Sequence, residues 1–119
     1  MATPNIRSLT TVTPGSDAKL LTASNQDIVT NAAASGTFVR IVSMYAANIH
    51  ASANQTITLT CNKNGSDFVL GNALTIPVNC ILNIIDKVGP LHLMENDKIK
   101  ALAGATNAVN LITSWEVMS

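Results

Sequence analysis

The sequence predicts an all-β protein: an antiparallel β-sandwich, jelly-roll-like, of about eight strands, with an extended N-terminal arm. Three observations lead there. Apolar and polar residues alternate with period two, most clearly over Gln55 to Asn62 and from Val109 to Val117. Turn residues punctuate the chain about every 8 to 12 positions, Asn64-Gly65 being the sharpest signal. No segment combines helical periodicity with helix-forming composition.

Residues 1–17 hold Pro4, Pro14, Gly15 and dense Thr, with Ile6, Leu9 and Val12 as their apolar anchors. Such a stretch reads as an arm that lies along a neighbour in an assembly. Residues 18–119 form the sandwich. Ala18 to Ser24 and Gln26 to Asn31 are its first strands, followed by a small-residue loop from Ala32 to Gly36. Thr37 to Ile49 is the longest β-run. Strict alternation puts Val39, Ile41, Tyr45 and Ile49 on one face and Phe38, Val42 and Met44 on the other, so both faces want cover. Phe38, Arg40, Val42 and Met44 are therefore interface candidates, Arg40 because arginine suits a partner-facing ion pair as well as a snorkelling edge.

Gln55 to Asn62 turns Ile57, Leu59 and Cys61 inward and Thr56, Thr58, Thr60 and Asn62 outward. Asn62-Lys63-Asn64-Gly65 closes a hairpin that returns through Asp67 to Leu70. Gly71-Asn72 reads as a second turn. Leu74, Ile76 and Val78 then alternate around Pro77, which favours an edge or a bend, and Asn79 to Asp86 continues as a strand. Leu91 to Met94 and Lys98 to Ala103 read as a hairpin across Glu95-Asn96-Asp97. Val109, Leu111, Thr113, Trp115 and Val117 form the closing strand.

At 119 residues the chain suits a single core. Charged residues make up 12%, against roughly 25% in ordinary soluble domains, while 47% are hydrophobic. Thirteen Thr, thirteen Asn and nine Ser supply the polarity. A neutral, hydrogen-bonding surface of this kind is weakly protected against association, which points to a protein that works assembled. Seven basic and seven acidic residues leave no net charge to attract nucleic acid or an anionic membrane. Phe38, Phe68, Tyr45 and Trp115 are too few for a row of stacking platforms. The first seventeen residues lack the apolar core of a signal peptide, and no run reaches the roughly 18 apolar residues of a spanning helix, so a soluble protein is expected.

Reactive groups are scarce. His50 and His92 lie outside any HExxH spacing and read as a loop and a strand-face histidine. There is no GxSxG elbow and no glycine-rich phosphate loop. Glu95 and Asp97 suit a solvated turn, and Asp86, Lys87, Lys98 and Lys100 suit exposed strand edges. Cys61 and Cys80 lack ligand spacing and read as buried free thiols. Two glycosylation sequons, at Asn54 and Asn64, are about what chance gives in so Asn- and Thr-rich a chain. The expectation is no catalytic residue, no cofactor, no metal and no enzyme.

Several stretches carry a resemblance: NIRSLTTVTPGS at the start, VRIVSMYAANI leading to TITLT, then NCILNIID, LHLMENDKIKALA and the closing VNLITSWEVM. The layout resembles small β-sandwich virion proteins of tailed bacteriophages, including cyanophage-like viruses. In that group an L-x-x-G/N-D-x-I/L hairpin precedes a last strand ending near an acid. Here the hairpin is Leu93 to Ile99, with Asn96 where Gly is frequent, and the acid is Glu116. The resemblance implies a virion structural protein without catalysis. It would be made in the host cytoplasm and sit on the capsid exterior as a decoration or cement protein, or otherwise at the neck or tail. It implies a homo-oligomer, with a trimer favoured, and the major capsid protein or another virion protein as partner. A carbohydrate-binding jelly-roll module and a metal-dependent cupin-like enzyme are the rival readings. The first wants exposed aromatics and the second more histidines than this chain has.

Overall fold

The structure, a computed structural model, describes residues 11–85 and 91–119. Nine strands follow in chain order: β1 Val12–Leu20, β2 Gln26–Asn31, β3 Phe38–Asn48, β4 Gln55–Lys63, β5 Ser66–Ile76, β6 Ile81–Ile85, β7 Leu91–Leu93, β8 Asp97–Ala103 and β9 Val109–Met118. Sheet A has the order β1-β9-β3-β6, with β7 beside the start of β3. Sheet B has the order β2-β8-β4-β5. All pairings are antiparallel: β1 with β9, β2 with β8, β3 with β6, β7 and β9, and β4 with β5 and β8. A hairpin folded back on itself in this nested way, with successive pairs divided between two sheets, is a jelly roll.

The inner faces meet in one core. Val39, Ile41, Met44, Ala46, Val109 and Leu111 of sheet A face Ile57, Leu59, Cys61, Ile99 and Ala101 of sheet B. Each fully buried aliphatic side chain stabilises the fold by about 1.5 to 3 kcal/mol before chain entropy is counted. Asn31 ties the two sheets at one end. Its Nδ2 donates to the Thr37 and Leu93 carbonyls at 3.0 and 3.2 Å, and its Oδ1 accepts from the Ser35 and Thr37 hydroxyls.

The β4–β5 hairpin closes as the Asn-Gly signal requires, with Asn64 and Gly65 at φ 50° and 92°. Elsewhere the strands depart from the sequence reading. Residues 12–17, assigned to the arm, are the first part of β1 and pair with residues 113–118. Ile6 and Leu9 lie outside the described residues. Paired backbone bonds between Thr11 and Ser119, both 3.0 Å, bring the two ends of the described chain together. Gly71-Asn72 is no turn: β5 runs straight through it and takes up the extra residues as bulges against β4. Leu91 to Met94 and Lys98 to Ala103 are not a hairpin, because β7 belongs to sheet A and β8 to sheet B. Lys98 and Lys100 consequently sit on an interior strand and make ion pairs with Asp27 at 3.6 Å and Asp67 at 3.1 Å.

The decisive departure is in β3. The register with β9 shifts between Ile41 and Ser43, so that Val42 and Ser43 share one partner position. One extra residue reverses the facing of everything after it. Val39 and Ile41 point inward before the bulge, and Met44, Ala46 and Asn48 after it.

Candidate docking surface

The bulge rearranges the interface candidates. Met44 is fully buried, at 0% exposure, and is a core residue, not a surface one. Phe38 is also buried. It shares its register position with Met118, and its ring lies 6.0 Å from His92. Val42 remains half-buried as the bulge residue. Arg40 is on the surface, with Nε and Nη2 donating to Glu116 Oε1 at 3.2 and 2.7 Å, so its charge is already answered within the chain. Val12 starts β1 and is exposed.

In their place the structure turns Tyr45 and Ile49 outward. Tyr45 lies in a cross-strand row Ala18–Ile112–Tyr45–Asn83, and beside it runs the row Leu20–Asn110–Ala47–Ile81. Cross-strand neighbours on one face are about 5 Å apart, so these eight side chains form one continuous surface over four strands. Exposure is 44% at Leu20, 41% at Tyr45, 48% at Ile112 and 70% at Ile81. None of the eight residues is charged. The other end of the same face is mixed: Ser16, Ser114 and Ser43 stand in register, then Glu116 paired with Arg40, with Val12, Pro14 and Val42 among them. There Pro14, Ser16, Val42, Ser114 and Glu116 border a shallow groove of about 600 Å³. The outer face of sheet B differs again, carrying the Lys98–Asp27 and Lys100–Asp67 pairs. Hydrogen bonds from Asn62 and then Lys100 hold the Asp67 carboxyl below its usual 3.8.

His50 and Asp97 brace the fold. His50 Nδ1 accepts from the backbone N–H groups of Ser52 and Ala53 at 3.2 and 3.1 Å, bracing the loop after β3. Asp97 is not solvated as its turn suggested. It is buried, with Oδ2 accepting from Lys63 Nζ at 2.7 Å and Met94 N at 2.9 Å, and Oδ1 from Asn64 N at 3.2 Å. This clasps the β4–β5 turn to the β7–β8 connection. Cys61 is buried, and desolvation raises its thiol pKa above the usual 9.0. Cys80, expected inside, is exposed, and both thiols are free. Among the described residues no three His, Cys, Asp or Glu side chains come together as a metal site.

No protein-family model and no curated protein matches this chain. Among solved structures, one of Bacillus endospore appendages, described as forming a novel family of disulfide-linked pili, is similar with a TM-score of 0.52 at 10% sequence identity. The match covers 91% of this chain and 85% of that one. At that identity the likeness shows the sandwich fold alone.

Proposed function

We propose that this chain is a non-enzymatic structural subunit that works by laying the outer face of sheet A on other proteins. In line with the virion resemblance, we read it as a capsid decoration or cement protein. The observation that carries the reading is the uncharged patch of Leu20, Tyr45, Ile81 and Ile112, spread over β1, β9, β3 and β6 of one sheet. Water-exposed apolar side chains in a continuous patch mark an interaction site. Many copies on a symmetric shell would multiply a modest interface through avidity. The partner is then the major capsid protein, and the mechanism is mechanical: contacts bridging capsid subunits must break before the shell expands or ruptures. A neck or tail position is the second form of the same reading, separated from the first by copy number.

The test is incorporation into particles of the virus that encodes the chain. Purified protein added to heads lacking it binds at hundreds of copies per head on the decoration reading, and at a few to dozens per particle on the neck or tail reading. Ile112→Lys puts a charge at the centre of the patch and reduces occupancy at least tenfold. Failure of the unaltered chain to bind any part of the particle, or undiminished binding by Ile112→Lys, removes the proposal.

A further inference from the structure

Thirteen asparagines are spread along the chain, and Asn64 alone among them precedes a glycine. Asparagine is a thermolabile residue, because its side-chain amide lies within reach of the next residue's backbone nitrogen. Glycine leaves that approach open, since it has no Cβ to shield the nitrogen. The fold keeps it open as well. Asn64 and Gly65 form the exposed tip of the β4–β5 hairpin, and no atom beyond the two chain neighbours comes within 4 Å of where a Gly65 Cβ would stand. Asn31, Asn48 and Asn62, by contrast, are buried with their amides bonded.

A second observation concerns the Asn64 amide itself. Asn96, on the β7–β8 connection, donates from Nδ2 to Asn64 Oδ1 at 2.8 Å. That oxygen is where negative charge gathers when a nucleophile adds to Asn64 Cγ, and a donor already in place stabilises the charge as it develops. We propose that Asn64 is a site of spontaneous deamidation, with Gly65 N as the nucleophile and the Asn96 amide as the donor that assists it. Gly65 N releases its hydrogen bond to Asn62 Oδ1, gives its proton to solvent and forms a bond to Asn64 Cγ. The Cγ–Nδ2 bond breaks, and the nitrogen takes a proton back from solvent and leaves as ammonia. Water then opens the cyclic imide. Attack at Cγ gives aspartate at residue 64, and attack at the main-chain carbonyl carbon gives isoaspartate, whose backbone runs through Cγ and is longer by a methylene.

Both products disturb the clasp at this end of the sandwich. Asn64 N donates to Asp97 Oδ1 at 3.2 Å, so the new carboxylate stands near a buried one, and Lys63 has both to answer. Like charges so close repel. The longer isoaspartyl backbone also spoils the tight turn that sets the β4–β5 register. None of this depends on the capsid reading, since the sheet A face is untouched.

Incubation of the folded chain for days at about pH 8 and 37 °C, followed by ion exchange and peptide mass mapping, reads the outcome. A species with one added negative charge appears first and maps to residue 64. Its aspartate isomer co-elutes with the Asn64→Asp protein, and its isoaspartate isomer melts below the fresh chain. Asn96→Gly removes the donor at a position whose φ of 66° suits glycine, keeps the native tryptophan emission, and slows the loss of Asn64 by about three- to tenfold, the worth of one ordinary hydrogen bond. Deamidation that begins at another asparagine, an Asn64 that survives unchanged, an isoaspartate isomer as stable as the fresh chain, or an Asn96→Gly protein that reacts as fast as the unaltered one overturns the inference.

Discussion

Gly15→Ala isolates the packing of a single side chain. Gly15 and Trp115 are direct cross-strand partners, and a Cβ at residue 15 would stand 2.4 Å from Trp115 Nε1 and 2.5 Å from Cε2. No real Cβ tolerates such an approach, so the indole, which packs against the core, must swing aside. Overpacking of this kind destabilises by about 1 to 3 kcal/mol. The lost chain entropy of glycine in the unfolded state offsets about 0.4 to 1 kcal/mol. The net loss is roughly 1 to 2 kcal/mol, or about 3 to 10 °C in Tm for a domain of this size. Trp115 is the only tryptophan, so its fluorescence reports the displacement directly, as a red shift in the folded variant. Gly65→Ala is the control. Gly65 has φ 92° and nothing within 4 Å of an added Cβ, so that variant is strained in its backbone but keeps the native emission. A Gly15→Ala protein with unchanged Tm and unchanged emission would refute the packing of the indole over β1.

Met44→Ala removes a fully buried side chain and costs about 2 to 5 kcal/mol in chemical denaturation, whereas Tyr45→Ser, one residue further along, changes stability by less than about 1 kcal/mol; the reverse order would place the β3 bulge wrongly. Thr113 Oγ1 is buried without a hydrogen-bond partner, so Thr113→Val, which keeps the shape, raises stability by about 1 kcal/mol and Tm by a few degrees in a calorimetric scan. A thiol reagent at pH 8 modifies one cysteine per folded chain, Cys80, and reaches Cys61 only on unfolding, because burial both shields that sulfur and keeps it protonated; mass spectrometry of the labelled chain counts the adducts.

The class of fold was legible because strands with one wet face announce themselves. In β4 the alternation of Ile57, Leu59 and Cys61 with Thr and Asn matches the inward set, and Asn64-Gly65 permits hardly anything but a tight hairpin. The docking surface was not legible, for a reason located in β3. From Phe38 to Ile49 nearly every residue is apolar or small, so either facing satisfies the pattern, and periodicity contains no mark of where an extra residue is inserted. One bulge at Val42 then exchanged Met44 for Tyr45 on the surface. Gly71-Asn72 misled in the opposite sense: glycine and asparagine are turn residues, but in β5 they accompany a bulge, which also asks for unusual backbone, as Ala73 at φ 52° shows. Asp97 was misplaced because its three partners come from β4, the β4–β5 turn and the end of β7, and a contact set spread along the chain leaves no local signature.

The bonded pair Thr11 and Ser119 sets how the molecule answers tension. A load applied between those two residues acts at the same end of the antiparallel strands β1 and β9, across their ladder, and opens it one rung at a time. That direction is a zipper and yields at low force. A tether that pulls on both ends of the described chain therefore peels β1 from the sandwich before the core is strained, while stress entering through the face of sheet A is shared by every strand beneath it.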